Sequence, residues 1–166
     1  MSASETRPRL TPERFFRLIA VAEAATWTLL IAGMLLKYVV APGETGDLAV
    51  RVSGSIHGFV FITYAATVVV VGLNQRWPVG RIAFGILTAV VPYATIPFER
   101  WLVRRGHLTG GWRTEETDDP RDRAWIDRLL RWFLARPLVL AVVFVLTIVA
   151  LFAVALTLGP PGGGQH

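Results

Sequence analysis

Four ionisable side chains interrupt the long apolar runs of this chain: Glu23, Lys37, His57 and Glu99. A charge near the bilayer centre costs about 2.5–3.5 kcal/mol on insertion scales, so each such group needs a partner or water. Two carboxyls, an amine and an imidazole are the parts of a proton-coupled conduit, with the imidazole titrating near neutral pH. They are equally the parts of a structural layer, in which a buried neutral His bonds a backbone carbonyl and Lys reaches the interface from a helix end. Other chemistries lack their residues. Cysteine is absent, which removes disulfides, thiolate metal sites and a cysteine nucleophile. His57 is the one histidine in an apolar run, so neither zinc nor bis-histidine haem finds a ligand set within one chain. Ser53 and Ser55 flank Gly54 near His57 without a third member, and no nucleotide-binding loop occurs. No catalytic residue, cofactor or metal is expected, and an intramembrane enzyme ranks below the other readings.

The elements that position these groups follow from composition. The chain has 166 residues, 53% hydrophobic and 17% charged, with a mean hydropathy of +0.49. Charge is concentrated between Glu99 and Arg136. This excludes a disordered chain and points to a small polytopic membrane protein. The net charge of +5 comes mostly from arginines that flank apolar runs, where they face headgroups, so nucleic acid is not an expected partner.

Thr11-Pro12-Glu13 reads as a cap, a first helical residue and an acid at the positive end of the dipole. A span to Val40 follows, broken by Ala41-Pro42-Gly43 and a polar loop to Arg51. The second span covers 52–73 and the third 80–103, with Pro92 and Pro97 expected to kink it. Asp119-Pro120 starts an amphipathic segment to Arg136, with Trp125, Ile126, Leu129, Leu130 and Phe133 on one face and Arg123, Asp127, Arg128 and Arg131 mainly on the other. The fourth span covers 137–158. The expected fold is therefore all-α: a bundle of four transmembrane helices plus one interfacial helix, between a mobile segment 1–13 and a flexible tail 159–166. Four spans put both termini on one side, and the arginine count then favours that side as outside.

With the third span crossing fully, Lys37, His57 and Glu99 fall in one layer about 8–12 Å from the bilayer centre, and Glu23 about 9 Å to the opposite side. Glu23, Trp27, Leu30, Met34 and Lys37 form one stripe. Gly54, His57, Phe61 and Tyr64 form another, and Gly54 with Gly58 makes a small-residue pair suited to close helix packing.

Three stretches carry a family resemblance. They are Phe16-Arg17…Ala22-Glu23-Ala24…Trp27…Gly33-Met34…Lys37-Tyr38-Val39, then Gly54-Ser55-Ile56-His57-Gly58-Phe59…Tyr64, then Val91-Pro92-Tyr93-Ala94-Thr95…Phe98-Glu99-Arg100-Trp101. Residues 14–105 resemble the domain-of-unknown-function family 3817, a bacterial and largely actinobacterial integral-membrane family. The resemblance implies a three-span membrane domain with Glu23, Lys37, His57, Tyr64, Pro92 and Glu99 at patterned positions, and it leaves the activity open. Residues 106–136 and the fourth span read as additions to that core. Two functions stay in view: an accessory or interaction protein of the plasma membrane, meeting lipid and a membrane-protein partner or a second copy, and a small proton-coupled carrier using Glu23 and the Lys37/His57/Glu99 layer.

Overall fold

The computed structural model describes residues 10–158, so the expected mobile segment and flexible tail lie largely outside the described residues. Among these the regular elements are all helical: α1 (Pro12–Leu35), α2 (Glu44–Asn74), α3 (Val79–Thr88), α4 (Thr95–Arg104), α5 (Trp125–Leu134) and α6 (Pro137–Leu158). A 3-10 turn, Pro120–Arg123, precedes α5; Asp119 caps it, and extended backbone at Ala124 separates it from α5. Thr11 caps α1 by accepting from the Arg14 amide at 3.3 Å. A π-helical turn, Leu36–Val40, extends α1. The expected polar loop after Pro42 is instead the first two turns of α2. Gly43 makes the corner with φ +104°, and a Cβ on Gly46 would sit 2.5 Å from the Lys37 Cα.

Three helices are long and apolar enough to cross a membrane: Pro12–Val40, Glu44–Asn74 and Pro137–Thr157. The expected third span, 80–103, is not one helix. Residues 89–94 form a turn, and α3 and α4 are ten residues each, about 15 Å at helical rise. Their outer ends return to the same place. Trp77 Nε1 donates to His107 O at 2.9 Å, the Arg81 guanidinium lies 5.9 Å from the Trp101 ring centre, and Phe84 meets Phe98 edge-on. The unit is a helical hairpin. Pro92 therefore sits in a chain reversal and Pro97 in the first turn of α4, where its missing N–H costs nothing; neither kinks a continuous helix. Where four spans were expected, the described residues hold three helices long and apolar enough to cross a membrane and one hairpin of two short helices.

The end of the bundle at Pro12 and Asn74, termed the near end here, also holds the hairpin's outer ends and α5. Helix α6 leaves it, passing Phe15 through Phe144 and Phe59 through Phe152, so the described chain runs away from the near end rather than finishing beside Pro12. The core lies in the near half: Phe16 is fully buried with its ring against Tyr64, Trp77 and Phe98. Gly54 and Gly58 are not the tight contacts expected. Added methyls there would meet Leu30 at 3.9 Å and Phe152 at 3.5 Å, ordinary contact with two different helices. The close approach of α1 to α2 is at Gly33, where a Cβ would lie 2.4 Å from Ser53 Oγ.

Two outcomes test this fold. Because the chain lacks cysteine, single cysteines at Val79 and Arg104 are expected to react with an impermeant thiol reagent from the same side of the membrane; reaction from opposite sides would restore a crossing helix. Phe16→Ala, which empties the core, is expected to cost about 3–5 kcal/mol, read by thermal unfolding in detergent.

Candidate functional site

The buried polar groups form two sets, one inside the bundle and one at its near end. The inner set holds the hairpin against α1. Glu23 is fully buried, and its Oε2 receives the Thr95 hydroxyl at 2.9 Å. Thr95 opens α4, so the carboxyl stands at the positive end of that helix. Its other oxygen, Oε1, has no hydrogen-bond partner among the described residues. Trp27, one turn further along α1, donates Nε1 to Ala89 O at 3.1 Å, and Thr28 meets the Tyr93 hydroxyl at 3.2 Å. Tyr93 has φ +65°, a left-handed conformation that costs a non-glycine residue roughly 1–2 kcal/mol and reverses the chain there. Tyr64 completes the set, its hydroxyl 3.0 Å from Thr88 Oγ1 at the end of α3.

His57 faces α1. Its Nδ1 lies 3.1 Å from Thr26 Oγ1, and its ring packs 4.5 Å from that of Trp27. Thr26 has one proton and its hydroxyl also reaches Glu23 O at 2.9 Å, so that proton serves the carbonyl when His57 Nδ1–H is the donor to Thr26.

The expected Lys37/His57/Glu99 layer does not assemble. Lys37 pairs with Asp47 at 3.0 Å across the far-end corner. Glu99 accepts from Arg17 Nε at 2.8 Å near the other end of α1, and Arg17 also holds Glu13. The twenty residues between Arg17 and Lys37 make about 30 Å of helix. The reason is the hairpin: a crossing helix would carry Glu99 to the far end, whereas the chain reversal returns it to the near end, on the same side as Glu23.

Sequence reasoning missed the second set. Asp122 is buried and collects three cations: Arg76, Arg113 at 3.3 Å and Arg131 at 3.3 Å. The Thr117 amide and hydroxyl add bonds of 2.8 and 2.6 Å. Arg76 also pairs with Asp119, and Arg113 with Asp127 at 2.7 Å. Asp127 and Arg131, expected on the outer face of the amphipathic helix, thus point inward. Arg76 reaches this cluster because α2 ends with its Trp77 amide on Gly72 O and its Arg76 amide on Leu73 O, which puts Arg76 at φ +54° where glycine is usual. The readable signal was the alternation of acids and arginines from Arg113 to Arg131. Hydrogen bonds from Thr117, then the charges of Arg76 and Arg131, hold the Asp122 carboxyl below the usual carboxylate range; Arg121 does the same for Asp119.

Among the described residues no group of three metal-ligating side chains occurs. Two clefts flank the bundle, lined by neither Glu23, Lys37, His57 nor Glu99: one by Arg76 and α5, the other an apolar cleft between α2 and α6.

Comparison with known proteins gives this arrangement relatives. Residues 13–104 match the model of the family described as Domain of unknown function (DUF3817). A protein of Streptomyces coelicolor named as a membrane protein is 46% identical over 96 residues, 57% of this chain but 11% of its own length. The uncharacterized membrane protein YdzA of Bacillus subtilis is 34% identical over 74 residues, 45% of this chain and 73% of YdzA. No solved structure matches with significance.

The near-end cluster sets a pH dependence. Both aspartates have lowered folded-state values, so their stabilisation is complete above the ordinary carboxylate range and is lost as pH falls through the folded values. The loop 105–119 is expected to stay attached at neutral pH and to become protease-sensitive below about pH 4. Asp122→Asn is expected to release it at neutral pH, measured by limited proteolysis in detergent.

Proposed function

The chain belongs to that family, and we propose that it works as an accessory or interaction module of the bacterial plasma membrane. The observation that carries this reading is private pairing: Glu23 with Thr95, His57 with Thr26, Lys37 with Asp47 and Glu99 with Arg17. A conduit needs titratable groups that share a water path; here each bonds a different protein partner. The distribution of the domain supports the same reading, since it makes up most of one small relative and about a tenth of another. A second reading, a proton-coupled carrier, draws on one feature, the unpartnered Oε1 of Glu23.

The hairpin changes the charge count that bears on orientation. Among the described residues Arg14, Arg17, Arg76, Arg81, Arg100, Arg104, Arg105, Arg113, Arg121, Arg123, Arg128, Arg131 and Arg136 belong to the near end, and Lys37 and Arg51 to the far end. The positive-inside rule then favours a cytoplasmic near end, with α1 starting inside and α6 ending outside. This reading differs from the expectation of both termini outside.

The test is His57→Gln, which keeps a donor and an acceptor but does not titrate. With both forms purified and matched in melting behaviour, partner recovery from cross-linked native membranes is expected to be unchanged, and neither form is expected to take up solute in vesicles under a pH gradient. Uptake by the unaltered chain that His57→Gln abolishes would establish the carrier instead.

A further inference from the structure

Because α3 turns back at half depth, one flank of α2 has no full-length neighbour, and α6 stands off from it. The result is an apolar cleft of about 660 Å³ between α2 and α6, walled by Phe61, Ala65, Val69, Val143, Phe144 and Leu151. Leu130 and Phe133 of α5 close its near end. We propose that this cleft holds an acyl chain of an anionic phospholipid from the near leaflet, with the headgroup on the exposed arginines of α5.

Three observations choose this occupant. The cleft runs along α6 from Leu140 to Leu151, about 16 Å of helix. That is the depth of one leaflet, half of a hydrocarbon core of about 30 Å. A transmembrane helix from a partner or a second copy would have to continue past Leu130 and Phe133 of α5, which line the cleft. An acyl chain need not, because the layer beneath an in-plane helix is filled by lipid tails.

The second observation is the depth of α5. Trp125 is 68% exposed, Leu129 47% and Trp132 45%, on a helix whose inward face is held by Asp127, Leu130, Arg131 and Leu134. Exposed tryptophans beside arginines are the residues of the headgroup layer.

Charge complementarity is the third. Arg76, Arg113 and Arg131 are committed to aspartates, whereas Arg123, Arg128 and Arg136 are exposed and have no carboxylate within 4.0 Å among the described residues. Arg136 lies in sequence between Phe133 and Leu140, two residues that line the cleft, and its guanidinium stacks 4.5 Å from the Trp132 ring centre. A phosphate there meets unspent positive charge at the cleft's near end. The inference needs the bundle to be embedded in a membrane and is independent of the accessory role.

Native mass spectrometry of the full chain, delipidated and then equilibrated with phosphatidylglycerol or phosphatidylcholine, tests the proposal. One phosphatidylglycerol is expected to remain bound where phosphatidylcholine is lost. Arg128→Gln with Arg136→Gln, both on the exposed surface, is expected to weaken retention about fivefold per arginine. Ala66→Phe, which fills the cleft and keeps the charge, is expected to lose the lipid at unchanged near-end proteolysis. Equal retention of the two lipids, or undiminished retention in the double arginine variant, would overturn the proposal. So would cross-linking of two copies through cysteines placed at Ala65, since the cleft would then hold a second chain.

Discussion

A break in a helix at membrane depth leaves amides and carbonyls without intrahelical partners, and hydrocarbon offers none. Within the hairpin the amides of Ala89, Val90, Val91, Ala94, Ile96 and Phe98 bond carbonyls three or four positions earlier, and α1 adds bonds across the seam. Trp27 takes the Ala89 carbonyl, Thr28 meets Tyr93, and Glu23 stands at the start of α4 through Thr95. Thr95 also lies 3.3 Å from Ala20 O, so the seam is bonded from both sides. Prolines at 92 and 97 reduce the demand further, since neither brings an N–H to the reversal. This explains why a stripe with Glu23 and Trp27 runs along an otherwise apolar helix. Its polar atoms bond both arms of the hairpin, the Ala89 carbonyl and, through Thr95, the start of α4.

The near end answers a different constraint. Once the hairpin returns, the ends of α2, α3 and α4 and the whole of α5 crowd one surface with arginines whose charges repel. Asp119, Asp122 and Asp127 absorb Arg76, Arg113, Arg121 and Arg131, and they draw the loop 105–119 and α5 onto the end of α2. Burying one partner of such a cluster without the others would be costly, so the cluster forms as a unit. The left-handed Arg76 is part of that bargain: the same chain reversal after α4 uses Gly106 at φ +69°, where no side chain has to reach an acid.

Much of this was legible in the sequence, for local reasons. The cap at Thr11, the cap at Asp119 and the three long spans follow from spacing and composition. The hairpin was not, because 80–103 has the length of a span and its two prolines are as compatible with a kink as with a reversal. What separates the cases is long-range: a hydroxyl and a carbonyl that meet residues some seventy positions earlier. One local signal was present. The ten residues of α4 carry Glu99, Arg100 and Arg104, a charge load at odds with a helix that must cross the far leaflet. Misreading that segment moved Glu99 across the membrane, and the Lys37/His57/Glu99 layer and the four-span orientation rested on that one placement.

Correcting it also changes which residues remain to be explained. Glu23, His57 and Glu99 bond neighbouring helices within the bundle, and Lys37 pairs with Asp47 at its far-end corner. Patterned polar residues in a membrane helix invite a mechanism, yet here each has a demonstrable duty to a neighbouring backbone or side chain. Outside the family match, α5 adds exposed arginines and tryptophans and α6 an apolar wall. Polarity within the matched domain therefore holds its helices and hairpin together, while the segment that follows adds an arginine- and tryptophan-bearing helix beside an apolar cleft.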